Sequence, residues 1–124
     1  MIADAVTSPQ SRAATAALWT LQIVVMLAFL ASGSSKIAGT APMMQLFDAG
    51  GVGQWFRYVT GAIEIGGALL VLVPSFALFA AGALACTMIG AVATHLLILH
   101  NSPAIPLVLL LMTSTILWLR WSTR

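Results

Sequence analysis

The stretch GAIEIGGALLVLVP, residues 61–74, decides how this chain folds. It is apolar and rich in glycine, and it carries a single carboxylate, Glu64, near its middle. The whole chain contains only three acidic residues. An ionised group within the hydrocarbon of a bilayer is costly and is usually paired or functional. The position of Glu64 therefore raises the question of which groups shelter it.

The composition places the chain in a membrane before any motif is considered. Of its 124 residues, 60% are hydrophobic and only 6% are charged, whereas about 25% of the residues of a soluble domain are charged. The length fits one domain. A formal net charge of +2 carried by scattered basic residues excludes a nucleic-acid partner. The single cysteine, Cys86, excludes an internal disulfide.

The apolar segments predict four membrane-spanning helices that follow a short N-terminal tail, residues 1–12. About 20 apolar residues are needed to cross the hydrocarbon core. The predicted spans are about 14–37, 56–73, 76–99 and 103–120, and together they form an all-α, integral membrane four-helix transmembrane bundle over residues 13–121. A cleaved signal peptide is the alternative for the first span, but its apolar region exceeds the usual 7–15 residues.

The only sizeable loop, residues 38–56, contains Met43, Met44, Leu46 and Phe47, which predict a short apolar helix at the membrane interface. Four spans place both termini on the same side. Arg12, Arg120 and Arg124 on that side outnumber Lys36 and Arg57 beside the long loop. The excess of positive charge favours cytoplasmic termini.

Glu64 lies on the small and polar face of the second span when the helix is drawn at 100° per residue. Small side chains allow close helix packing in membranes, so Glu64 is expected to point into the bundle. Lys36 ends the polar stripe of the first span, and His95 lies near the same end of the third span. We therefore predict an intramembrane polar cluster of Lys36, Glu64 and His95, with Asp48 and Arg57 as its rim.

Each of these residues also has a purely structural interpretation. Lys36 can extend its ammonium group to the interface, Glu64 can form a structural salt bridge, and His95 can hydrogen-bond near a helix end. The functional alternative is a pocket that binds a small molecule or passes a proton, because a histidine beside a carboxylate can exchange protons near neutral pH. No nucleotide-binding glycine motif occurs, and no cysteine and histidine cluster indicates a metal.

Three segments together resemble the DoxX and DoxX-like family of small four-helix membrane proteins. They are FLASGSSKIAG (Phe29–Gly39), GAIEIGGALLVLVP (Gly61–Pro74) and MIGAVATHL (Met88–Leu96). In this resemblance Lys36, Glu64 and His95 match the family's lysine, acid and histidine. The resemblance implies a multi-pass protein of a bacterial-type inner membrane. Some relatives are associated with thiosulfate oxidation to quinone or with oxidative-stress complexes, and distant relatives act as membrane chaperones.

Three functions follow as hypotheses. The first is a redox-associated membrane subunit whose polar pocket binds a quinone and whose partner is a redox protein. The second is a non-catalytic scaffold or assembly partner whose polar cluster only fixes helix register. The third is a small proton-coupled transporter that works as a homo-oligomer. In each case an accessory subunit is favoured over a self-sufficient enzyme, and no catalytic residue is assigned.

Overall fold

The computed structural model describes residues 9–122, and these are almost entirely helical. In chain order the helices are α1 (Pro9–Ala38), α2 (Ala41–Gly50), α3 (Gln54–Leu70), α4 (Ala77–Thr94) and α5 (Ala104–Ser122). A π-helical turn, His95–Leu99, continues α4. The all-α prediction is confirmed. Residues 1–8 of the predicted tail lie outside the described residues, and α1 already begins within the remainder of that tail.

The predicted number of spans is not confirmed. In the described residues, three helices are long and apolar enough to cross a membrane: Arg12–Ala38, Ala77–Leu99 and Ala104–Ser122. The second predicted span, 56–73, corresponds to α3, which has 17 residues and ends at Leu70. Beyond it the backbone forms tight turns, in which the amides of Leu72 and Val73 bond to carbonyls three residues earlier. The described chain therefore has five helices rather than a plain bundle of four.

The fifth helix is α2, the short element expected in the long loop. It begins beside Pro42, contains no buried residue and packs against α3 and the π-helical turn. The turn between α1 and α2 is made by Gly39, whose φ of 72° lies in the left-handed region. The amides of Gly39 and Thr40 both bond to the carbonyl of Ser35, as in the usual glycine ending of a helix.

The long helices pack as two close pairs, α1 with α3 and α4 with α5, and α3 and α4 join the pairs. Their inner faces form one apolar core. The buried core residues are Val25, Phe29, Ala68, Val71, Ala80, Ala81, Leu84, Met88 and Ile116. Large apolar side chains such as Leu27, Leu97 and Ile105 are exposed on the outer surface. A helical protein that is apolar both inside and outside suits a lipid environment.

Candidate functional site

The candidate site begins where α1 crosses α3 at two glycines. A Cβ atom placed on Gly33 would lie only 2.9 Å from the carbonyl oxygen of Gly61, and one placed on Gly61 would lie 3.0 Å from that of Gly33. The two backbones are therefore in direct contact. Lys36 and Glu64 each follow one of these glycines by three residues, which places them one turn further along each helix. The glycine crossing thus brings the two charged side chains within reach.

Lys36 and Glu64 form a buried ion pair between α1 and α3. Lys36 Nζ lies 2.9 Å from Glu64 Oε1, and it also donates a hydrogen bond of 2.7 Å to Ser32 Oγ. Glu64 is 0% exposed and Lys36 is 8% exposed. Both charges are largely withdrawn from solvent, so each depends on the other for stability. The pairing that the sequence predicted between these two residues is present in the structure.

The second oxygen of the carboxylate has a different environment. Glu64 Oε2 is buried and accepts no hydrogen bond from any residue that the structure describes. A buried acceptor without a donor costs about 1–3 kcal/mol. Unlike Oε1, this oxygen has no recorded ion contact with Lys36, so a further hydrogen-bond donor beside it would be stabilising.

Arg57 connects the ion pair to the long loop. Its Nη1 donates to the carbonyl of Lys36, so that a positive charge lies at the C-terminal end of α1, where the helix dipole favours it. Its Nε donates to Gln54 Oε1 at 2.8 Å. Gln54 Nε2 in turn donates to Asp48 Oδ1 at 2.7 Å and to the carbonyl of Met44 at 2.9 Å.

The two predicted rim residues thus occupy different environments. Asp48 is exposed, as a rim residue should be, whereas Arg57 is only 4% exposed. The guanidinium group is drawn inward because the last turn of α1 offers carbonyl groups without helical partners. Helical phase alone places Arg57 on the inner face but does not reveal this acceptor.

His95 has its own partner rather than joining the ion pair. Its Nδ1 lies 2.5 Å from Asn101 Oδ1, and among the described residues no hydrogen bond or salt bridge connects it to Lys36 or Glu64. The π-helical turn and the left-handed backbone of His100, with a φ of 51°, bring Asn101 back to His95. Such turns are rare inside α-helices, and the sequence pattern did not predict this one.

A second polar contact lies near the middle of α1 and was not predicted. Arg120 Nε donates a hydrogen bond of 2.7 Å to Gln22 Oε1, and the guanidinium carbon lies 5.3 Å from the centre of the Trp19 ring. Gln22 is completely buried. The available signal was a glutamine that shares the inner face of the first span with Leu18, Val25 and Phe29. Its partner is 98 residues away in sequence, so no local pattern identifies it.

An apolar layer separates the two polar contacts. Gln22 and Lys36 are 14 residues apart on α1, which corresponds to about 21 Å along the helix. Val25 and Phe29 lie between them on the same face, and both are completely buried in the core. No group of three or more metal-binding side chains occurs in the described residues. The site is therefore a pair of charges enclosed at one end of an apolar bundle.

Membrane-length helices, an apolar outer surface and an enclosed ion pair define a small helical integral membrane protein. The chain belongs to the DoxX-like family, whose family model matches residues 20–116. This range contains the glycine crossing, the ion pair, α2 and His95. No curated protein and no solved structure was found to match the chain.

Proposed function

We propose that the protein is a non-catalytic accessory subunit of the cell membrane, an assembly partner or scaffold whose Lys36–Glu64 ion pair locks α1 against α3. The observation that carries this proposal is the complete burial of Glu64 behind a direct contact with Lys36. A group that reacts with substrates needs access to them. The glycine crossing instead closes the helices around this carboxylate.

The proposal includes α3 as a fourth membrane span, with both termini on the cytoplasmic side. Seventeen helical residues extend about 25 Å, slightly less than the ~30 Å hydrocarbon core. The residues up to Val73 are apolar as well. Their turn hydrogen bonds satisfy the backbone, as a lipid environment requires. A modest shortfall of this kind is accommodated by local thinning of the bilayer.

The second candidate function is a redox-associated subunit that binds a small lipid-soluble molecule such as a quinone. Glu64 Oε2 supports it, because this buried acceptor has no donor in the described protein and would accept a hydrogen bond from a ligand hydroxyl group. Binding would require α1 and α3 to separate near the ion pair.

A proton-coupled transporter has less support from the geometry. A proton path through the bundle would have to connect the Lys36–Glu64 pair with the Gln22–Arg120 contact. Val25 and Phe29 occupy the intervening stretch of α1 and are completely buried among apolar neighbours. A dry apolar layer of this kind offers a proton no hydrogen-bonded chain.

The test is purification of the protein in mild detergent, followed by identification of the proteins and small molecules that co-purify. Glu64→Gln keeps the shape of the side chain and removes its charge, so it serves as the matched variant. An assembly subunit is expected to retain a protein partner in stoichiometric amount, with no stoichiometric small molecule, for every Glu64 variant that remains folded. A quinone bound to the wild type and lost from folded Glu64→Gln would support the second candidate and contradict the first.

A further inference from the structure

A group of exposed apolar side chains surrounds α2 and the start of α3. We call it the loop-side aromatic surface, and its members are Met44, Val52, Trp55, Phe56 and Tyr58. Trp55 is 61% exposed, Val52 57% and Tyr58 50%. Side chains of this size in contact with water would be unfavourable, at about 25 cal/mol per Å² of apolar area. We therefore expect another apolar group to cover this surface.

Contacts inside the protein hold this surface in one shape. The ring of Phe56 lies 6.2 Å from that of Phe47 on α2 and 5.6 Å from that of Trp55. Gln54 ties the start of α3 to α2 through the carbonyl of Met44 and the carboxylate of Asp48. The indole N–H of Trp55 donates to the carbonyl of Val52. Because that donor already has a partner, the ring can leave water at little cost.

The charges around this surface restrict what can cover it. Residues 40–60 contain two charged side chains, Asp48 and Arg57. Arg57 is buried, and its guanidinium group bonds to Lys36 and Gln54. The exposed carboxylate of Asp48 lies at the edge and would resist immersion in hydrocarbon. The surface is thus apolar, without an exposed basic group, and suited to a shallow position.

We propose that the loop-side aromatic surface inserts into the boundary between lipid headgroups and acyl chains, and that zwitterionic lipids are sufficient for this. It is continuous with the exposed side of α3, where Val59, Ile63 and Leu70 follow Trp55 at helical spacing. Tryptophan and tyrosine favour this depth, and an interfacial helix needs basic residues only when it relies on anionic lipids. The inference rests on the proposed function in one respect, namely that α3 crosses the membrane.

The test measures the depth of Trp55 by fluorescence quenching in phosphatidylcholine vesicles. A variant with Trp19, Trp118 and Trp121 replaced by phenylalanine reports on Trp55 alone. Lipids carry a nitroxide either near the head of the acyl chain or near its end. We expect several-fold stronger quenching by the shallow nitroxide, weak quenching by iodide in the water, and no change when phosphatidylglycerol is added. The difference between the wild type and Trp55→Phe provides the same information without the other three substitutions.

A second variant carries Ile63→Trp, with the four natural tryptophans replaced. It tests whether α3 crosses the membrane separately from whether Trp55 lies at the interface. Strong quenching by the deep nitroxide at residue 63 together with iodide quenching of Trp55 would overturn the interfacial position while α3 remains a span. A lack of lipid quenching at residue 63 would contradict the span itself. Protection of Trp55 from both nitroxides and iodide would overturn the inference in favour of a covering protein chain.

Discussion

The two polar contacts on α1 differ in how they are built. Near the loop side, Lys36 and Glu64 join two full charges beside a crossing at which the backbones of α1 and α3 touch. Near the middle of α1, Gln22 and Arg120 join an amide to a guanidinium group. There α1 meets α5, a helix against which it packs far less extensively than against α3.

The two contacts should therefore differ in how strongly they resist separation of the helices. A buried charge left without its partner is costly, so the loop-side contact tolerates little separation of α1 and α3. The contact between Gln22 and Arg120 contains one charge instead of two, and its loss should be milder. We therefore expect substitutions around Lys36 to destabilise the protein more than those around Gln22.

The largest effect is expected when the loop-side charge balance is broken. Lys36→Met leaves the Glu64 carboxylate buried without its cation, which should lower the free energy of unfolding by about 3–5 kcal/mol. Reversible unfolding in detergent by titration with dodecyl sulfate measures this. Ser34→Met, at an exposed position of the same helix, is the control and should behave like the wild type. Equal stability of the two variants would show that the ion pair does not stabilise the loop-side contact.

The glycine crossing provides the next effect. Gly33→Ala would place a methyl group 2.7 Å from Ile65 Cγ1 and 2.9 Å from the carbonyl oxygen of Gly61. Relieving that overlap requires α1 and α3 to move apart, at about 1–3 kcal/mol of stability in the same titration.

The matched control for the crossing is Gly66→Ala on α3, where an added Cβ meets nothing within 4 Å. Its stability should match that of the wild type or exceed it by up to about 1 kcal/mol, because alanine favours a helix more than glycine does. Helix propensity favours alanine at both positions, so a loss at Gly33 reports the overlap between the helices. If both glycine variants change stability by the same amount, the crossing is not what positions the ion pair.

A smaller loss of stability is expected at the contact between Gln22 and Arg120. Gln22→Leu removes the acceptor of the hydrogen bond from Arg120 while preserving most of the buried volume, and hydrogen bonds to charged groups contribute about 1.5–3 kcal/mol. The unfolding titration should give a loss near the lower end of this range. Thr20→Val, at an exposed position on the same helix, should have no effect. A loss larger than that of Lys36→Met would reverse the ranking of the two contacts.

The smallest effect is a gain in stability. His100 adopts a left-handed backbone conformation, which costs a residue with a side chain about 1–2 kcal/mol and costs glycine nothing. His100→Gly should therefore raise the free energy of unfolding by up to about 1 kcal/mol, after the greater flexibility of glycine in the unfolded chain is included. A decrease would mean that the imidazole ring makes a stabilising contact.

The sequence was most informative about the loop-side ion pair. Glycines and alanines on the face of Glu64 showed that the carboxylate points inward, and the spacing of the spans brought Lys36 to the same end. The sequence did not predict the hydrogen bond from Arg57 to α1. The acceptor is a carbonyl group in the last turn of α1, and the residue at which α1 ends was not known from the sequence. The partner of Gln22 required knowledge that α1 meets α5, which is a tertiary fact.

His95 and α3 show where periodicity fails. A pattern of 3.6 residues continues the third span smoothly to residue 99, but the backbone widens into a π-helical turn at His95 and directs its ring to Asn101. Hydropathy likewise continued the second span to residue 73, whereas α3 ends at Leu70. The apolar composition of a segment predicts that it avoids water. It does not predict where the α-helical backbone ends, because that depends on the neighbouring turn.

The most direct test of the central claim, that the Lys36–Glu64 pair locks α1 against α3, is a double-mutant cycle with Lys36→Met, Glu64→Leu and the double variant. Unfolding in detergent is measured for all four proteins. We expect a substantial loss for each single variant and a double variant close to the wild type, because apolar residues can replace a buried ion pair. The resulting coupling energy should be about 2 kcal/mol or more. Losses that add to within about 0.5 kcal/mol would show that the two residues act independently and that the pair does not lock α1 against α3.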